Sequence, residues 1–100
     1  MNTTICDAIR DGEIIEFKYD GLVKIVEPFC YGKGSDGDNL LQGYVIGGFS
    51  KGLQEGYSWE VFSEKDMGTV KFIGKKFKTL RAGYEQKGHH FVTTYCEFMG

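Results

Sequence analysis

The chain has 100 residues, a formal net charge of −2, 15 aromatic residues, 15 glycines and a single proline. This length supports one domain with one hydrophobic core, residues 1–100, and excludes a catalytic domain joined to a separate regulatory domain. No segment resembles a signal peptide, and no apolar run approaches the roughly 20 residues that span a bilayer. We therefore expect a cytoplasmic protein with no membrane partner.

The chain begins with a pattern typical of a short helix. Residues 4–10 carry apolar side chains at helical spacing, a capping-box pattern that starts at Thr4, and Gly12 as a stop signal. We expect this helix to pack on one end of the domain through Ile5 and Ile9.

A β-hairpin is predicted next. Apolar and polar residues alternate over residues 13–20, which favours a half-buried strand. The pair Asp20-Gly21 predicts a two-residue turn into a second strand, residues 22–31. Because proline has no N–H to donate to a neighbouring strand, this second strand should bend at Pro28.

The turn at residues 32–37 spells G-x-G-x-x-G, the glycine pattern of dinucleotide-binding loops. That function requires a helix directly after the loop, whose free N–H groups would hold the pyrophosphate. Residues 39–49 are instead apolar and β-like. The loop is therefore interpreted as a flexible hairpin tip.

The rest of the chain predicts further short strands. Residues 57–63 and 69–73 have strand-like patterns, residues 63–66 resemble a single helical turn, and residues 89–98 form a closing strand rich in aromatic and β-branched side chains. The predicted fold is mainly β with a short N-terminal helix: a small, partly open antiparallel barrel.

The cysteines give no sign of a structural role beyond packing. Cys6, Cys30 and Cys96 are odd in number, widely spaced and without a C-x-x-C pair. We expect neither a disulfide framework nor a zinc site, and interpret all three as reduced core residues.

Charge is unevenly distributed along the chain. Residues 1–68 hold 6 Lys and Arg against 12 Asp and Glu, whereas residues 69–87 hold 6 against 1. The basic block has neighbouring aromatic residues and comprises Lys71, Lys75, Lys76, Lys78 and Arg81. Two interpretations stay open: the block binds a phosphate backbone with stacked bases, or its lysines solubilise a strand whose aromatics face the core.

Several short motifs follow one another in a recognisable order. They are Ala8-Ile9, Phe17-Lys18-Tyr19, Val26-Glu27-Pro28-Phe29, Gly43-Tyr44, Trp59-Glu60-Val61-Phe62 and the segment from Phe77 to Tyr84. Together they resemble a WYL domain. The resemblance implies an SH3-like or Sm-like barrel, in bacteria or phages, that acts as a regulatory or sensory module and binds nucleic acid or nucleotide-like ligands on an aromatic and basic patch.

The chain departs from the WYL pattern at two places. The namesake triplet aligns with Asn39-Leu40-Leu41, and Ser63-Glu64-Lys65-Asp66 stands where the family tends to have arginines. A lysine does not reproduce the planar, bidentate contacts of an arginine. Ligand recognition should therefore rest on other residues.

The predicted binding residues combine cations with aromatic rings that could contact phosphate and stack on bases. They are Lys18, Tyr44, Trp59, Lys75, Lys76, Lys78, Arg81 and Tyr84. For Trp59 a place in the core is an open alternative, and Tyr84 could instead close the barrel.

Catalysis is not indicated. The adjacent His89 and His90 would point to opposite faces of a strand, so they do not make a shared metal site. Glu27 stands in an apolar run and is interpreted as a structural acceptor rather than a general base. We predict a non-enzyme without metal or cofactor.

A rival hypothesis is a protein-interaction subunit. A partly open barrel exposes edge strands to which a second copy or another protein can add a strand. We expect a homodimer to use such an edge, or the apolar part of residues 22–29. The apolar surface could comprise Leu22, Val23, Ile25, Phe29, Leu53 and Phe98.

Overall fold

Two long antiparallel strands organise the protein in the computed structural model, which describes residues 2–50, 53–54, 58–78 and 91–99. The predicted fold class is confirmed: the described residues form one short N-terminal helix and an open antiparallel sheet. The elements are α1 (Thr3–Asp11), β1 (Glu13–Tyr19), β2 (Leu22–Gly34), β3 (Asn39–Ser50), β4 (Leu53–Gln54), β5 (Ser58–Ser63), a 3-10 turn (Glu64–Asp66), β6 (Lys71–Lys76) and β7 (Phe91–Glu97).

Strand β2 lies at the centre of the sheet. One of its edges pairs with β3 from Val23 to Lys33. The other edge pairs with β1 over its first half and with β7 over its second half. Strand β6 adds to the far side of β1, whereas β4 and β5 add to the far side of β3.

Strand β2 is irregular at the position of the predicted bend. The β2–β3 register shifts between Pro28 and Cys30, so Phe29 lies at the irregularity. A bulge of this kind bends a strand and increases its twist. It allows the single strand β2 to pair with β1 before the bulge and with β7 after it.

The predicted Asp20-Gly21 turn is also confirmed. Tyr19 pairs with Leu22, and the two residues between them have φ values of 53° and 75°. Positive φ at both central positions is the geometry of a type I′ turn, which matches the twist of antiparallel strands.

Helix α1 begins at a cap different from the predicted one. The side chain of Asn2, rather than that of Thr4, accepts a hydrogen bond from the Ile5 N–H at 3.2 Å. Asn is among the strongest N-cap residues. The helix ends at Gly12, whose φ of 67° is left-handed. Ile5 and Ile9 are fully buried, so the predicted packing of the helix is confirmed.

Strand β3 begins at Asn39, directly after the glycine-rich turn. No helix follows the G-x-G-x-x-G pattern, so its interpretation as a hairpin tip is confirmed. Gly37 turns the chain with a φ of 91° and donates its N–H to the Gly34 carbonyl at 3.0 Å.

Aromatic side chains pack against one another in the core. Phe17, Tyr19 and Phe62 contact one another edge to face, and Phe29 contacts Phe77 and Phe98 at centroid distances of 4.9 and 5.4 Å. The prediction of Phe29 and Phe98 as interaction surface is therefore wrong, because both are buried.

The expected dimer surface at residues 22–29 does not lie on an edge strand. Strand β2 is an interior strand whose two edges are both paired. Leu22, Val23 and Ile25 are half-buried. The side chain of Leu53 lies outside the described residues.

Two of the three cysteines form a disulfide, and the prediction of reduced residues is wrong for this pair. Cys6 on α1 is bonded to Cys96 on β7, with the Cα atoms 5.7 Å apart. This separation lies within the range that a disulfide spans. The pair is 90 residues apart in sequence, so only the packing of α1 against β7 brings it together. Cys30 is a buried thiol outside the disulfide, as predicted.

Within the described residues, no helix has the length and apolar character needed to cross a membrane.

Candidate nucleic-acid interface

Strand β6 carries a row of lysines along an edge of the sheet. One side of β6 pairs with β1, and none of the described strands pairs with its other side. Lys71, Lys75 and Lys76 are all exposed. At roughly 3.3 Å per residue, the row from Lys71 to Lys76 is about 16 Å long.

Lys18 joins one end of this row. Lys18 and Lys71 line a shallow cavity of about 340 Å³ together with Gly68 and Thr69. The Gly68 N–H donates to the Lys18 carbonyl at 2.8 Å, which holds the segment before β6 against β1. We call Lys18, Lys71, Lys75 and Lys76 the lysine edge.

Three carboxylates offset part of the charge of the lysine edge. The Nζ of Lys76 lies 4.0 Å from Oε2 of Glu13, and Asp11 also interacts electrostatically with Lys76. Glu16 is the Cα partner of Lys71. Lys76 is exposed, so its ion pair with Glu13 is worth little in water. Four lysines against three carboxylates leave the surface with a small positive charge.

An aromatic ring stands within the lysine edge. Phe72 follows Lys71 and is 46% exposed. It is also the Cα partner of the fully buried Ile15, which anchors its backbone in the sheet. Successive side chains of a strand point to opposite faces, so the Phe72 ring lies on the face of Ile15, whereas Lys71 lies on the face of Glu16 and Lys18. Nucleic acid that wraps around the unpaired edge of β6 could stack a base on Phe72 and contact these lysines.

The predicted aromatic residues Tyr44 and Trp59 belong to a different group. They are Cα partners on β3 and β5, and their ring centroids are 5.2 Å apart. Both are half-buried, and Trp59 also contacts Phe29 at 5.1 Å. In the strand order, β2 and β1 stand between these residues and β6. The core alternative for Trp59 thus describes its packing better than an open stacking site.

The remaining predicted binding residues do not enter the lysine edge. Lys78 is exposed beside Phe77, which packs on Phe29 at 4.9 Å, and it borders a shallow cavity with Arg10. Arg81 and Tyr84 lie outside the described residues.

Glu27 lies on β2, the central strand of the sheet. It is 3% exposed and is the Cα partner of Tyr44 on β3. A buried position within a paired strand agrees with the interpretation of Glu27 as a structural residue.

A buried polar network links distant parts of the chain on the other half of the molecule. The Tyr31 hydroxyl donates to Oε1 of Glu64 and accepts from the Asn2 N–H at 2.9 Å. Oε1 of Glu64 also accepts from the Asn39 amide at 3.2 Å, and the Tyr95 hydroxyl donates to Oδ1 of Asn39 at 2.9 Å. Residues from the helix cap, β2, β3, the 3-10 turn and β7 thus meet in one network.

Burial raises the pKa of Tyr31 to about 12, because a phenolate in the interior loses its hydration. The hydrogen bond to Glu64 adds to the rise, whereas the one from the Asn2 N–H opposes it. Tyr31 therefore stays protonated at neutral pH. The network connects structural elements that are distant in sequence.

Sequence reasoning missed this network and the place of Phe72 in the lysine edge. Both depend on which strands become neighbours, and the hydrogen-bonding partners Tyr31 and Glu64 are 33 residues apart. Within the described part of the chain, no group of three or more His, Cys, Asp or Glu side chains could hold a metal ion. His89 and His90 lie outside it.

Comparisons with known proteins give no match: no family model, no curated protein and no solved structure matches the chain. The WYL resemblance therefore stays a prediction.

Proposed function

We propose that this protein is a non-enzymatic binding module that holds single-stranded nucleic acid on the lysine edge. The observation that carries the proposal is the row of exposed lysines on β6, joined by Lys18 and interrupted by the half-exposed ring of Phe72. Phosphates would contact the lysines, and a base would stack on Phe72. In keeping with the WYL resemblance, the role would be regulatory, in a bacterium or phage.

The opposing interpretation is that the lysines only protect an edge strand. Lysine on an exposed edge does discourage pairing with other chains. That role accounts for the charges on β6, but it accounts neither for Lys18 on the neighbouring strand nor for an exposed phenylalanine on the protected edge. A ligand with both charge and flat apolar surface accounts for all of them.

The test is fluorescence anisotropy with labelled single-stranded DNA and RNA across a salt series. We expect binding that weakens as salt rises, since phosphate contacts release counterions. The double variant Lys18→Gln/Lys71→Gln should bind several-fold more weakly. It should also reduce the log–log salt slope by about 1.4, at roughly 0.7 per phosphate contact on a single strand.

A matched control removes the same charge elsewhere. Lys33 and Lys65 are exposed and lie outside the lysine edge, although Lys65 pairs with Asp38 at 3.1 Å. Lys33→Gln/Lys65→Gln should leave affinity nearly unchanged. Equal losses in both double variants would mean that net charge alone governs binding, and no binding by the parent at low salt would reject the proposal.

The aromatic part of the proposal has its own test. Phe72→Ala should weaken binding by about 1 to 3 kcal/mol, the usual contribution of one stacked base, whereas Phe72→Tyr should keep it. A free mononucleotide that displaces the strand at equal concentration would instead identify a small nucleotide-like ligand for the Lys18–Lys71 cavity.

A further inference from the structure

The sheet has a second open edge whose chemistry is opposite to that of β6. Strand β7 pairs with β2 on one side, and no described strand pairs with its other side. Val92, Thr93 and Thr94 are exposed, with Val92 at 65%. From Phe91 to Cys96 the strand carries no charge and no proline, the two devices that commonly protect an edge.

We propose that β7 is the surface on which two copies of this chain associate, by antiparallel addition of β7 to β7 about a twofold axis. Directly opposite side chains in an antiparallel pair share a face, so the twofold axis passes between a residue and its own copy. An axis at Thr93 sets Thr93 opposite Thr93 of the second copy, Val92 opposite its Thr94 and Phe91 opposite its Tyr95. Pairs of threonines, of β-branched residues and of aromatics are favourable across antiparallel strands. No like charges meet in this register.

The lysine edge on β6 is less suited than β7 to bind a second copy. Self-pairing of β6 would bring the lysines of two copies together, whereas β7 offers a run that complements itself. A second copy therefore fits β7 and not β6. This proposal is independent of nucleic-acid binding, since it uses neither the lysines nor Phe72.

Apolar surface continues beyond the edge of β7. A cavity of about 610 Å³ opens between α1 and the end of β7, lined by Ile9, Phe98 and Met99, and Met99 is 83% exposed. A twofold contact that extends over this rim would approach the roughly 1,000 Å² in total that a specific interface needs.

The test uses charges placed beside the axis. Size exclusion with light scattering should give a dimer mass for the parent chain that falls to monomer on dilution. Val92→Lys/Thr94→Lys should weaken association about 30-fold or more, because each new lysine faces a lysine of the partner. Both sites are exposed, so the monomer should stay folded.

A charge-swapped variant makes the register falsifiable. Val92→Glu/Thr94→Lys sets Lys opposite Glu at both contacts and should restore the dimer. The control Ser58→Lys/Thr69→Lys adds two lysines at exposed positions off β7 and should leave the parent dimer intact.

Three results would overturn the proposal. A monomer mass for the parent up to high micromolar concentration would remove it. A dimer that survives Val92→Lys/Thr94→Lys would place the interface elsewhere. A Lys/Glu variant that stays monomeric would exclude this register.

Discussion

Alkaline pH should selectively destabilise the protein through Tyr31. Its hydroxyl is fully buried, and its pKa is raised from 10.0 to about 12. Between these values the folded state holds a proton that the unfolded state has lost, so stability falls as pH rises. The loss is complete above pH 12 and reaches about 2 to 3 kcal/mol, at roughly 1.4 kcal/mol per unit of pKa.

The variant Tyr31→Phe isolates this effect from other alkaline titrations. At pH 8 the variant should be less stable by about 1 to 3 kcal/mol, because Glu64 and the Asn2 N–H lose a buried hydrogen-bond partner. At pH 11 the parent should have lost about 1.4 kcal/mol of stability through the Tyr31 hydroxyl. The variant lacks this hydroxyl and should not show that loss. The stability gap between the two proteins should therefore shrink by that amount.

Urea unfolding followed by the fluorescence of Trp59, the single tryptophan, measures the gap at each pH. A second variant, Glu64→Gln, removes the negative charge that helps to raise the Tyr31 pKa, so its alkaline loss should be smaller than that of the parent. A gap between parent and Tyr31→Phe that stays constant from pH 8 to 11 would refute the linkage.

Three further predictions test other parts of the structure. Cys6→Ser should lower the free energy of unfolding by about 2 to 5 kcal/mol, because the disulfide to Cys96 closes a loop of 90 residues, and a reducing agent should cause the same loss in the parent but none in the variant. Gly12→Ala should cost about 1 to 3 kcal/mol in urea unfolding, because φ is +67° and the added Cβ would lie 2.6 Å from the Phe77 carbonyl; wild-type stability would contradict this. Glu16→Gln should strengthen binding to single-stranded DNA in the anisotropy assay, since it removes the acid beside Lys71, and weaker binding would count against the lysine edge.

Local features of the fold were predictable because they depend on neighbouring residues. The Asp20-Gly21 turn needs only two residues that tolerate positive φ, and the bend at Pro28 needs only a missing N–H. The helix end at Gly12 follows from the same local chemistry.

Features that depend on strand order were not predictable. The Cys6–Cys96 bond requires that β7 return beside α1, and nothing in the spacing of the cysteines reports that contact. The predicted binding residues lie on separate surfaces for the same reason. Tyr44 and Trp59 pair across β3 and β5, while the lysines lie on β6, so one predicted patch became two separate surfaces.

The two open edges follow from the length of β2. It spans 13 residues, and β1 and β7 each span 7, so one short strand cannot cover its free side. Both strands are needed, one on each side of the bulge at Phe29, and each brings an outer edge of its own. Strand β6 covers the edge of β1 and replaces it with a lysine-rich edge, whereas the edge of β7 stays uncharged. Because a like-charged edge rejects a second copy and a neutral one accepts it, this topology can keep a phosphate-binding surface free even when two copies associate.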